Sequence, residues 1–155
     1  MRLARRSAAA FLAAAAVVPP IPSPSRAAAT DAGEAVLYKD PQCGCCEEYA
    51  AHLRANGRRV WVVPTHDLAL VKRRQGVPED LEGCHTTLVG GYTVEGHVPA
   101  GVLDRLLAER PAIRGLSLPG MPLGSPGMGG RKAGPFTIYA LPRDTAAEPA
   151  VYAVE

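Results

Sequence analysis

Three cysteines occupy four positions in the segment KDPQCGCCEEYAAHL, residues 39–53: Cys43, Cys45 and Cys46. Cys84, in the segment GCHTT, is the fourth and last cysteine of the chain. Thiolate is the form that attacks disulfides and also the form that binds metal, so the C-x-x-C spacing of Cys43 and Cys46 suits either chemistry. Cys45 separates the two, because thiol–disulfide exchange needs only a pair. Several thiolates packed within a few ångströms repel one another unless protons, a disulfide or a cation neutralise them. Clustered soft sulfur selects Cu(I), zinc or iron–sulfur clusters over hard cations. The C-x-C-C run differs from the spaced pairs of structural zinc sites. A soft cation, with Cu(I) among the candidates, is therefore the expected neutralising partner. Bridging thiolates would let these few residues hold more than one Cu(I). The alternatives are a thiol–disulfide oxidoreductase using Cys43 and Cys46, or two plain disulfides, for which spacing favours Cys43–Cys46 and Cys45–Cys84.

Four histidines and two methionines bear on the ligand set. His85 follows Cys84 directly; the fold analogy below turns both toward the cluster, while adjacent side chains of an extended segment diverge, which leaves His85 either a ligand or turned away from the site. His97 is expected on a strand, either as a ligand or as a histidine outside the site. Met121 and Met128 lie in GMPLGSPGM, as gap-fillers against the core or as thioether ligands for Cu(I). His52 lies seven residues after Cys45, roughly 10 Å along a helix and too far to share an ion. His66 reads as a loop histidine. Glu47 and Glu48 read as first-turn acids that suit a helix dipole. The chain carries no Ser/His/Asp set, phosphate loop or internal repeat.

The elements that must position these residues follow from periodicity. EAVLYK, 34–39, predicts a strand, DPQCG a turn, and 47–56 a helix with Tyr49, Ala50 and Leu53 on one face. RRVWVVP, 58–64, predicts a second strand. A helix through Leu68, Val71 and Arg74 follows, capped by Thr65 or Asp67. HTTLV and YTVEGHV flank Gly90-Gly91, a two-residue hairpin signal. Pro99 opens a helix burying Val102, Leu103, Leu106 and Leu107. Residues 115–135 read as a long Gly/Pro-rich loop, and FTIYAL, 136–141, as a closing strand. The order β-α-β-α-β-β-α, with a C-x-x-C between the first strand and helix, predicts an α/β, thioredoxin-like domain. Its expected form is a central mixed sheet with flanking helices, and in it the loop bearing Cys84 lies beside the motif. That placement is an analogy at the level of the fold.

The first 29 residues read as a secretory signal peptide. Arg2, Arg5 and Arg6 precede an apolar stretch at 7–18, and Ala27 and Ala29 form an A-x-A cleavage pattern. That stretch is too short for a membrane span. Sec-type export fits better than a twin-arginine signal. Residues 30–155 then form one domain of ordinary size. Four of the 17 basic residues and none of the 15 acidic ones lie before residue 30, so the remainder is slightly acidic. It has no basic stripe for nucleic acid and no second hydrophobic run for membrane insertion. A bacterial periplasm is the expected location, and an oxidising one.

YKDPQCGCCEEYAAHL, GCHTTLVGGYTVEGHVPAGVLDRLL and GLSLPGMPLGSPGM together resemble the CopG-like family of exported bacterial metal-binding proteins, formerly a domain of unknown function. The resemblance runs from about Val36 to Met128. It implies a periplasmic thioredoxin-like protein associated with copper resistance, whose C-x-C-C motif replaces the redox C-x-x-C. It also implies copper binding with a change of oxidation state, and other periplasmic copper-handling proteins as partners. Carried over by position, it points to Cys43, Cys45, Cys46 and Cys84, with His85 next.

Overall fold

A computed structural model describes residues 33–155. The signal-peptide reading of residues 1–29 lies outside the described residues. The chain runs β1 (Glu34–Lys39), α1 (Gly44–Ala55), β2 (Arg59–Pro64), α2 (Leu68–Arg74), β3 (His85–Val89), β4 (Tyr92–Glu95), α3 (Ala100–Glu109), β5 (Gly115–Ser117), β6 (Thr137–Leu141) and β7 (Ala150–Val154). A short 3-10 turn, Glu79–Leu81, precedes β3. The strands form one mixed seven-stranded sheet in the order β2-β1-β3-β4-β5-β6-β7. β1 pairs with β2 in parallel and with β3 antiparallel, and β4 pairs with β5 in parallel.

Strand alternation divides the sheet into two unlike faces. Ala35, Leu37, Val89, Tyr92 and Val94 join Tyr49, Ala50 and Leu53 of α1 and Val102, Leu103 and Leu106 of α3 in the main core. Each of these leucines is fully buried and contributes about 2 kcal/mol by leaving water. The opposite face is polar where α2 crosses it. There Thr86, Thr93 and Glu95 meet Lys72 and Gln75. Gly90 and Gly91 close the β3–β4 hairpin with φ of +56° and +85°, a pair of left-handed residues that only this kind of dipeptide adopts at low cost.

Several elements differ from those expected of the sequence. α1 begins at Gly44, three residues earlier than the apolar pattern suggested, so Cys45 and Cys46 lie in its first turn. β5 and β7 appear where a loop and no element, respectively, were expected. Residues 115–117 are too short for a periodic signal, and β7 exists because it pairs with β6 across a loop. β4 stops at Glu95, since Gly96 turns the chain, and so His97 is off the strand. Leu107 is only partly buried against the core.

Candidate metal centre

The first wall of the site is the start of α1. Asp40 makes the turn: its side chain accepts from the Gln42 N–H at 2.8 Å and its carbonyl from the Cys43 N–H at 3.0 Å. Cys43 is the N-cap residue, in extended conformation and with no side-chain cap bond. The first-turn N–H groups of a helix lack intrahelical partners and carry its positive end, so the three cysteines sit where negative sulfur is favoured. Lys39, buried at the end of β1, donates to Glu47 Oε1 at 2.9 Å and to the Pro41 carbonyl at 3.3 Å, which latches the turn to the helix. Cys46 is fully buried, and Cys43 and Cys45 are half-buried.

The second wall is the chain from Gly83 to His97. Cys84 Sγ lies 3.6 Å from Cys46 Sγ and 3.8 Å from Cys45 Sγ, while Cys43 and Cys45 are 3.4 Å apart. The ligand atoms of all four cysteines lie within 4.8 Å of one another, and those of Cys84, His85 and His97 form a second such group. Cys43 and Cys46 are joined as a disulfide, with Cys45 and Cys84 free. Half of the two-disulfide pairing is therefore present, and the other two sulfurs face each other unbonded.

Both His85 and Cys84 turn toward the cluster, which settles between the two readings of this pair that the sequence left open. Cys84 lies in a bend just before β3, so its side chain does not alternate with that of His85. Cys84 Sγ is 3.3 Å from His85 Nδ1 and 2.9 Å from His97 Nε2. His97 Nδ1 lies 2.5 Å from the Pro126 carbonyl, which can only accept. The proton must therefore be on Nδ1, leaving the Nε2 lone pair aimed at the sulfur. His85 Nε2 is buried with no hydrogen-bond partner among the described residues. Tyr49 stands against both imidazoles, its ring centre 4.6 Å from that of His85 and 5.2 Å from that of His97, and its hydroxyl donates to the Val98 carbonyl at 2.9 Å.

Burial sets the electrostatics. The Cys84 thiol is pushed up to about 12, first by burial and then by the neighbouring Cys45. His85 is held well below the usual imidazole range by burial, with His97 and Lys72 adding to the effect. His97 is lowered by burial, against the opposing pull of the Pro126 hydrogen bond. Burial thus favours the thiol form of Cys84 and the neutral form of both imidazoles. Soft sulfur with neutral nitrogen fits a soft or borderline cation, and the unpartnered His85 Nε2 is a buried donor atom without another use.

Met121 is 54% exposed on the loop after β5. Met128 is half-buried and follows Gly127, which packs on the backbone of Tyr49 at the back of α1. His52 and His66 belong to neither ligand group. Sequence reading missed Tyr49 as a wall of the site, and it missed Lys39, Lys72 and Glu95 as its buried charged supports. A lone acid closing the strand YTVE was the available signal for Glu95. Nothing distinguishes Lys72 from Arg73 and Arg74 in sequence.

A mixed α/β domain with a buried sulfur–imidazole cluster is the class of protein that emerges. Residues 81–128 match a family model described as a protein of unknown function, DUF411. The match takes in Cys84, His85, His97 and both methionines but not the C-x-C-C run. Two solved structures are similar. "Copper resistance protein copG- Form 2" is 39% identical, with a TM-score of 0.72, over 79% of this chain and 97% of its own. "Copper resistance protein copG- Form 1" is 37% identical, with the same TM-score, over 79% of this chain and 96% of its own. No curated protein matched. The chain belongs to the CopG-like copper resistance family.

Proposed function

We propose that this chain is an exported, periplasmic copper-binding protein of thioredoxin-like architecture that serves copper resistance. Copper is its cargo, and it is handled as Cu(I). The carrying observation is the gathering of four sulfurs from two distant segments within 4.8 Å, with His85 and His97 meeting them at Cys84. The β2-β1-β3-β4 order, with β1 and β2 parallel and a C-x-x-C at the start of α1, supports the thioredoxin-like reading. With Cys43 and Cys46 reduced, the ligand set is Cys43, Cys45, Cys46 and Cys84, completed by His85 and His97. Met128, and less so the exposed Met121, are thioether candidates at its edge.

The site can also exchange electrons with its cargo. Joining the Cys43 and Cys46 thiols as a disulfide releases two electrons and two protons, which convert two Cu(II) to two Cu(I). Imidazole nitrogen suits both oxidation states, so His85 and His97 make the Cu(II) state tolerable. Other periplasmic copper-handling proteins are the natural partners for loading and release.

Competition of the reduced protein with a Cu(I) chelator, repeated in the presence of zinc, tests the assignment. Cu(I) should be held and zinc should not displace it. Displacement by zinc, or no copper bound, overturns it. The second reading, a thiol–disulfide oxidoreductase, draws on the closed Cys43–Cys46 bond. Cys45→Ser separates the two, because it removes one sulfur ligand and should cost much of the bound copper while leaving C-x-x-C exchange intact.

A further inference from the structure

The segment that carries Cys84 is held from two sides. On one side Gly83 is bridged to Gly120, and the Gly120 N–H donates to the Glu82 carbonyl at 2.9 Å. In a parallel bridge of this register Gly120 bonds to the neighbours of Gly83, and the N–H and carbonyl of Gly83 itself point the other way. There they meet side chains and no strand. The Gly83 N–H donates to Glu95 Oε1 at 2.8 Å, and the Gly83 carbonyl accepts from Lys72 Nζ at 2.9 Å. Lys72 and Glu95 are themselves paired, and the second carboxylate oxygen accepts from Thr86 Oγ1 at 2.7 Å. Among the described residues, the side-chain hydrogen bonds of this ion pair beyond its own two members go to Gly83 and Thr86.

The placement of the pair is unusual for its elements. Lys72 is the one buried residue of α2, while Leu70 of the same helix is exposed. Glu95 is fully buried at the end of β4. Removing two charges from water costs several kcal/mol per ion unless their geometry and hydrogen bonds are nearly complete. An apolar pair of similar volume would dock α2 on the sheet about as well. What an apolar pair could not do is hold both polar groups of the Gly83 backbone.

We propose that Lys72 and Glu95 are positioning residues, a buried clamp on Gly83 that sets Cys84 Sγ against Cys45, Cys46 and His97. The clamp is a matter of the fold alone, and its consequence for metal rests on the reading of Cys84 as a ligand given above. A pair serving only to dock α2 would leave the reactivity of Cys84 relative to Cys45 unchanged when replaced.

The oxidised, metal-free protein makes that comparison direct, because Cys45 and Cys84 are then the two free thiols. The paired substitution Lys72→Met with Glu95→Leu keeps the net charge and the volume. Alkylation of the two thiols by iodoacetamide at one pH, followed by peptide mass spectrometry, gives the Cys84 to Cys45 rate ratio. The clamp predicts a rise of about tenfold, the loss of hydrogen bonds to charged groups. Lys72→Met with Glu95→Gln keeps an acceptor for the Gly83 N–H and should return the ratio part-way. An unchanged ratio in the folded variant overturns the clamp. Amide hydrogen exchange of the parent is a check that needs no variant: the Gly83 N–H, outside any strand, should be among the slowly exchanging amides, and rapid exchange also overturns the clamp. In the reduced variant loaded with Cu(I), X-ray absorption at the copper edge should show a smaller sulfur shell. A raised ratio with an intact sulfur shell keeps the clamp and removes Cys84 from the ligands.

Discussion

Cys84 Sγ and His97 Nε2 lie 2.9 Å apart, and the other nitrogen of His97 is engaged by the Pro126 carbonyl. The Gly/Pro-rich loop thereby fixes which imidazole nitrogen faces the sulfur. His97→Ala should weaken Cu(I) binding about 10- to 100-fold, the usual cost of losing a ligand's support or a ligand of this kind. Chelator competition checks the affinity, and circular dichroism checks that the fold survives. An unchanged affinity would place His97 outside the metal site.

The same loop is seated on α1 through Gly127, whose φ is +79° and where an added Cβ would stand 2.5 Å from the Tyr49 nitrogen. Gly127→Ala therefore meets both backbone strain and a backbone clash. A loss of about 2 kcal/mol is expected, read as a lower urea midpoint. A midpoint equal to the parent's would mean that the loop does not rest on the helix.

Metal binding should take protons from the site. The Cys84 thiol, pushed up to about 12 by burial and Cys45, stays protonated at working pH in the metal-free protein, and a metal ion must displace that proton. The Cu(I) affinity should therefore rise with pH from 6 to 9, by about tenfold per unit for each proton released. Proton release into weakly buffered solution, measured alongside chelator competition, checks the count. A pH-independent affinity would show that Cys84 is not deprotonated on binding.

The metal-free fold should weaken on the acid side. His85 titrates well below its ordinary value of 6.5 in the folded chain because it is buried. Below pH 6.5 the unfolded chain binds a proton there that the folded chain refuses, so stability rises with pH across this window and falls on acidification. The loss is about 1.4 kcal/mol per pH unit for this histidine until its folded value is reached. Urea unfolding of the parent and of His85→Gln between pH 5 and 7.5 tests it, since the variant should have the shallower slope.

Much of the architecture was legible because its signals are local. The 34–39 strand, the Tyr49–Ala50–Leu53 face, the Gly90-Gly91 hairpin and the helix after Pro99 each follow from period or turn chemistry within a few residues. The start of α1 was not, because its N-cap is Cys43 and not one of the residues that advertise a helix start. β7 was not, because a strand at the sheet's edge is defined by pairing with β6 and not by its own residues alone.

The crowding of Cys43, Cys45 and Cys46 was written in the chain, and so was the preference of such a cluster for a soft cation. That Cys84 lies beside them was expected from the analogy of the fold, but that His85 and His97 both face it depended on a bend at residue 84 and a turn at Gly96. The buried pairing of Lys72 with Glu95 depended on α2 packing on β3 and β1, from which Lys72 reaches the end of β4, 23 residues away in sequence. Residue type and spacing are short-range information and reveal which chemistry is affordable. Which atoms meet is decided by packing between distant segments, where the need to satisfy every buried polar group selects one arrangement from many.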